Sequence, residues 1–235
     1  MDFHQWQHTN GMEALWLSGP AECHISDASA RIVDLAKAYP EAQHSVVYFF
    51  CSTAPRKVPI AITFVSTIVS QLVRCSRELK EGITTIFLRT LVEAIFREPL
   101  SNPEVPRFGA SDSAEVVLEK TLKAPSDAYW DALRAVAYIE QEQVLSLIID
   151  GLDETEHQNH EFIRELCVFI EHLRKRRSTT RVLLTSGPQA EIKEILGPLP
   201  WLPSIEYDRE RKGMIPFTFS RQTRWYVAKN CRMSK

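Results

Sequence analysis

Five short, almost unbroken apolar runs constrain this chain more than any other feature: ALWLS at 14–18, VVYFF at 46–50, VLSLII at 144–149, RVLLT at 181–185 and IEY at 205–207. Each is bounded by Gly, Pro, Asp or Ser, and four of the five are rich in Val, Ile, Phe or Tyr, as buried strands are. An alternating pattern would leave one face of a sheet in water. Continuous hydrophobicity instead predicts strands covered on both faces, hence a mainly parallel sheet.

Parallel strands need crossovers, and the intervening segments supply helical periodicity. Ala28, Ile32, Leu35, Ala36 and Tyr39 follow Ser26, a plausible N-cap, and Pro40 stops that helix. Pro59 stands at a first helical position, with Ile60, Phe64, Ile68 and Leu72 at four-residue intervals behind it. Further helices are predicted at 83–97, 114–123, 127–143, around Phe162, Leu166, Phe169, Ile170 and Leu173, and at 189–196. The expected fold is a three-layer α/β domain with a five-stranded, mainly parallel sheet and a helical insertion between the second and third strands. Its expected limits are 14–210, with the insertion at about 78–143, a lead-in at 1–13 and a basic tail at 211–235.

Bulk properties remove several function classes. A net charge of −2 gives the whole molecule no electrostatic reason to bind nucleic acid or an anionic membrane. The tail carries seven Lys or Arg and no Asp or Glu, but a solvated terminus explains that composition without a nucleic-acid partner. The cations at 174–177 close a helix, where they complement its dipole. The five cysteines are scattered and never paired as C-x-x-C, so a reducing, intracellular and cytoplasmic setting is expected, with neither a disulfide framework nor a zinc ribbon. The uncharged run at 58–73 is sixteen residues long and carries Thr63, Ser66, Thr67, Ser70 and Gln71. It falls short of the roughly 20 residues of a membrane span and reads as a core helix. No G-x-S-x-G elbow supports a serine hydrolase, and Trp130, Trp201 and Trp225 read as packing residues.

The chemistry-bearing stretch is VLSLIIDGLDET, 144–155. A hydrophobic strand delivers Asp150 at its carboxyl end, the edge where α/β sheets bind ligands, and Gly151 turns the chain so that Asp153 and Glu154 follow closely. In a Walker B arrangement the strand-end Asp holds Mg²⁺ and a following acid, here Asp153 or Glu154, orients the attacking water. Upstream, Gly19 ends the first strand and Ser26 lies seven residues on, the spacing of the first Gly and last Ser/Thr in G-x-x-x-x-G-K-[ST]. Downstream, Thr185 and Ser186 end the strand where a γ-phosphate sensor commonly sits.

In this order, LWLSGPAECHIS, VVYFFCST, IVSQLVR, LIIDGLDET, LLTSGPQAEI and SIEYDRERK make the chain resemble the fungal NACHT-type, STAND-class P-loop NTPases, especially the nephrocystin-like N-terminal NTPase domain, over about 11–210. The resemblance implies a nucleotide site formed by Gly19, His24, Ile25, Ser26, Asp150, Thr185 and Ser186, with Mg²⁺ on Asp150 and Ser26. It also implies partners among other NACHT-type proteins or copies of itself.

The departures fall on one ligand group. His24 holds the family's Gly position, Ile25 its Lys position, and Gly187 replaces the Arg of a T-S-R-P sensor strand. A Cβ at 24 is expected to hinder the left-handed conformation glycine adopts easily, Ile25 offers no charge, and Glu22 adds a negative one. Each charge-assisted hydrogen bond contributes about 1.5–3 kcal/mol, so losing the Lys and Arg contacts weakens triphosphate binding by roughly 10²–10⁴-fold. The expected function is a degenerate NACHT-type module that scaffolds or regulates without hydrolysing nucleotide. The alternatives are weak, Mg²⁺-dependent binding of ATP or GTP with residual hydrolysis, or a truncated piece of a larger NACHT–ankyrin or NACHT–WD repeat protein.

Overall fold

A computed structural model of the chain describes residues 14–38, 44–51, 58–75, 80–97, 126–137, 144–154, 160–176 and 180–206. The five expected strands form: β1 (Ala14–Ser18), β2 (His44–Phe50), β3 (Val144–Asp150), β4 (Arg181–Ser186) and β5 (Ser204–Glu206). They make one all-parallel sheet in the order β2-β3-β4-β1-β5. β2 is longer than its apolar run because backbone pairing of His44 with Val144 and Ser45 with Leu145, not side-chain polarity, sets where it begins. β5 starts one residue earlier than expected, and Tyr207 lies outside the described residues.

The helices are α1 (Ile25–Ala38), α2 (Ile60–Cys75), α3 (Lys80–Arg97), α4 (Ser126–Val136), α5 (His160–Lys175) and α6 (Ala190–Leu196). Pro59 precedes α2 and its carbonyl accepts the first helical bond, from Thr63 N–H at 3.1 Å. The expected helix at 114–123 and the basic tail lie outside the described residues, as does the lead-in at 1–13.

Strand alternation sorts the core into two layers. Leu15, Leu17, Ile148 and Leu183 turn to one face and pack with Ile25, Ile32 and Val33 of α1. Ala14, Trp16, Val47, Phe49, Leu147, Ile149, Val182 and Leu184 turn to the other, against α2 to α6. This follows from crossover handedness: the chain moves one way along the sheet from β1 to β2 and the opposite way in every later step, so right-handed connections place α1 on the opposite face from the rest. β1 and β4 are neighbours whose outgoing connections leave on opposite faces. The crevice at their carboxyl ends is the switch point where open α/β sheets bind ligands. The architecture is consistent with a P-loop NTPase-like domain.

Helices α3 and α4, between β2 and β3, share the sheet's own core. Trp130 of α4 is 1% exposed and sits 5.5 Å from Phe64 of α2, 6.0 Å from Phe162 and 6.1 Å from Phe169 of α5, measured between ring centroids. Phe64 also meets Phe49 of β2 edge-on at 5.3 Å, so one aromatic cluster ties three helices to the sheet. Burial pushes the Cys167 thiol up to about 12, leaving it protonated and unreactive.

Truncating Trp130 removes the centre of that cluster. Trp130→Ala is expected to lower unfolding free energy by about 3–5 kcal/mol, whereas Leu88→Ala, at a half-exposed position on α3, should change it by less than about 0.5 kcal/mol. Urea denaturation followed by tryptophan fluorescence and circular dichroism measures both.

Candidate functional site

The β1–α1 loop runs from Gly19 to His24 and is closed on itself. Gly19 is buried and its N–H donates to Ser186 O at 3.2 Å, fastening the loop's start to the end of β4. Pro20 has no N–H to offer. Ala21–Cys23 form a 3₁₀ turn in which Cys23 N–H donates to Pro20 O at 2.9 Å and His24 N–H to Ala21 O at 3.1 Å. A phosphate cradle aims successive N–H groups at one anion. Here those of Gly19, Cys23 and His24 all end on carbonyls of the protein.

His24 reverses one expectation. It adopts φ 54° and ψ 40°, the left-handed conformation that its Cβ was expected to hinder. The backbone path usual for glycine is therefore kept by histidine, at a steric cost on the order of 1 kcal/mol. Its Nδ1 lies 3.0 Å from Asp27 Oδ2, an exposed pair that bridges the loop to the first turn of α1. The helix already includes Ile25, so Ser26 lies inside the first turn, exposed, rather than capping it from outside. Ile25 is 7% exposed and packs into the apolar layer with Leu15 and Leu17. This side chain points into the core, away from the sheet edge.

Across the crevice, β3 and β4 end in a buried knot. Thr185 Oγ1 donates to Asp150 Oδ1 at 2.6 Å and accepts from Gly151 N–H at 3.0 Å. Asp150 is 4% and Thr185 1% exposed. Gly151 has φ +73°, which lets the strand turn at once into the 3₁₀ turn Leu152–Glu154, closed by Glu154 N–H donating to Gly151 O at 2.8 Å. Asp153 then folds across to β4: a Cβ on Gly187 would lie 2.5 Å from Asp153 Oδ2. Gln189 Nε2 donates to Asp153 O at 3.3 Å on the same side. Any side chain at position 187 would thus compete with the Asp153 carboxylate for one space.

Ser186 is drawn inward as well. Its hydroxyl accepts from Trp16 Nε1 at 3.0 Å and donates to Gly187 O at 2.9 Å. Glu154 is exposed, yet partial desolvation, then Asp153, then Asp150, raise its pKa. The arrangement brings Gly19, Ser186, Thr185, Asp150, Asp153 and Glu154 to one sheet edge and sends Ile25 away from it. Among the described residues no group of three or more His, Cys, Asp and Glu is placed to hold a metal ion.

Sequence reasoning missed Trp16, Asp27 and Gln189 as partners of these groups. Trp16 pairs in register with Leu184, which puts its indole within reach of Ser186, but that neighbourhood appears only once β1 and β4 are known to be adjacent. A groove of about 450 Å³ between α5 and α6, lined by Arg164, Val168, Glu194 and Trp201 among others, shares no residue with this edge.

Residues 1–98 match the protein family described as Nephrocystin 3, N-terminal, which fits a NACHT-like module. The match takes in β1, α1, β2, α2 and α3 and ends before the acidic turn. Comparison with curated proteins gives no match.

The buried knot and the acidic turn each carry an expected outcome. Thr185→Val removes a hydrogen bond to a buried carboxylate and strands the Gly151 N–H, and should cost about 2–3 kcal/mol in denaturant titrations, with Thr185→Ser recovering most of it. For Glu154, a folded pKa raised above the unfolded value means that the native state binds more protons through that window. Stability from this group therefore falls as pH rises and recovers as pH falls through it. Glu154→Gln should be more stable than wild type at neutral pH, and the difference should vanish below about pH 4.

Proposed function

We propose that this chain is a degenerate NACHT-type module that works as a non-hydrolysing scaffold or regulatory domain, related to fungal NLR-like signalling proteins. The observation that carries this reading is the β1–α1 loop, whose N–H groups at Gly19, Cys23 and His24 are consumed internally while Ile25 is buried where a phosphate-binding lysine would stand. An anion there meets an incomplete cradle and no lysine, so transition-state charge on a transferring phosphoryl group is poorly stabilised. The groups opposite, Thr185, Ser186 and Asp153, are likewise committed to internal contacts. What remains is a stable sheet and helical surface through which other NACHT-type chains, or a second copy, are engaged.

A second reading keeps weak ATP or GTP binding. It is favoured by Asp150, Asp153 and Glu154 meeting at the carboxyl edge, where Asp150, with Ser26, would hold Mg²⁺ and Asp153 or Glu154 would orient water.

Calorimetric titration of ATP and GTP, with and without Mg²⁺, separates the two. Under the scaffold reading no saturable binding occurs below millimolar nucleotide, and phosphate release stays at the buffer rate. Micromolar, Mg²⁺-dependent binding that disappears in Asp150→Ala would overturn it.

A further inference from the structure

β2 is the terminal strand of the described sheet, paired with β3 over all seven of its residues. Terminal strands expose a row of backbone donors and acceptors, which proteins usually protect with charge, proline, bulges or a short strand. The sequence of β2, HSVVYFF, has no Lys, Arg, Asp, Glu, Pro or Gly. It matches the composition of segments that pair with copies of themselves: β-prone, uncharged and seven residues long. Phe50, at its end, is 38% exposed and stacks edge-on with Tyr48 at 5.6 Å.

Successive residues of such a strand turn their backbone groups to alternate sides. Cys51 N–H donates to Asp150 O at 2.9 Å, so the odd-numbered residues face β3 and His44, Val46, Tyr48 and Phe50 face outward. Among the described residues, the side chain of Gln71 stands at the middle of that outward row. Gln71 of α2 donates from Nε2 to Tyr48 O at 2.7 Å and accepts Tyr48 N–H on Oε1 at 3.0 Å. Its carboxamide offers one donor and one acceptor side by side, the pair that a neighbouring strand would present. Helix packing fixes where it reaches, because Ile68, Val69 and Leu72 around it on α2 are buried in the core.

We propose that Gln71 is a guard on the β2 edge: by occupying both backbone groups of Tyr48 it stops a second copy of this chain from adding its own β2 there. The pairing it prevents is two-fold and antiparallel, the same strand meeting itself. This role is independent of whether any nucleotide binds, since it involves none of the residues at the carboxyl edge. It also directs any self-association of the native chain to surfaces other than the sheet edge.

The test compares wild type with Gln71→Leu, which keeps the bulk of the side chain and loses both hydrogen bonds. Light scattering across a concentration series should show the variant's mass doubling relative to wild type as concentration rises. In dilute variant, amide exchange at Tyr48 should be about tenfold faster than in wild type. Adding Phe50→Lys, a charge on the outward row, should return the mass to the wild-type value, and Phe50→Lys alone should leave it unchanged. Three results overturn the proposal: an unchanged mass for Gln71→Leu, association that Phe50→Lys does not relieve, as misfolding would give, or a Tyr48 amide in wild type that exchanges as fast as in an unstructured peptide.

Discussion

The Thr185 hydroxyl, held between Asp150 and the Gly151 amide, is the contact on which the carboxyl edge of this sheet depends. It joins the ends of two adjacent parallel strands at the point where the ladder runs out and the chain must turn. Without it, a carboxylate and an amide would both be buried unsatisfied, each a penalty larger than the net gain of an ordinary hydrogen bond. With it, β3 and β4 stop in register, the turn at Gly151 is fixed, and Asp153 is delivered against Gly187. Ser186 then offers its carbonyl to Gly19 and its hydroxyl to Trp16, which secures β1 to the same edge.

Fold and chemistry part company at this edge. Strand order, crossover handedness and the switch-point crevice are consistent with a P-loop NTPase-like α/β domain, and they are maintained by apolar layers of the protein's own side chains. Asp150, Thr185 and the Gly151 amide satisfy one another there, while Glu154 and Ser26 are exposed. Three amides of the loop, those of Gly19, Cys23 and His24, end on protein carbonyls, and Ile25 gives its side chain to the core. The match to the Nephrocystin 3, N-terminal family over residues 1–98 covers the loop and helix α1 but not the acidic turn.

Much of this was legible in the sequence, for reasons that can be stated residue by residue. Continuous apolar runs announced a doubly covered parallel sheet because burial on both faces leaves no room for polar alternation, and all five strands formed where those runs lie. Pro59 and the four-residue spacing behind it located α2. Strand and helix limits were less legible: His44 and Ser45 are polar yet paired, and Ile25 is apolar yet opens a helix, because pairing and packing partners far along the chain decide both. The left-handed His24 was contrary to expectation, since steric preference is a modest cost that a closed 3₁₀ turn and the link to Asp27 can offset. Gly187 read as a lost arginine; only the fold shows Asp153 in its place. The Gln71 clamp on Tyr48 had no signature at all, because glutamine within a helix says nothing about a backbone beside it.

Ile25 also bears on how far the crevice can change. Its side chain is enclosed with Leu15, Leu17 and Ile32, so a lysine introduced at that position would have to bury an ammonium group among aliphatic carbons or pull the start of α1 out of its seat. Gly187 is entrenched in the same way by Asp153, and the loop amides by the carbonyls that hold them. Each position is therefore locked by a neighbour that would have to change with it. Single substitutions in the crevice are thus costly, whereas exposed positions of the surface are free to diversify.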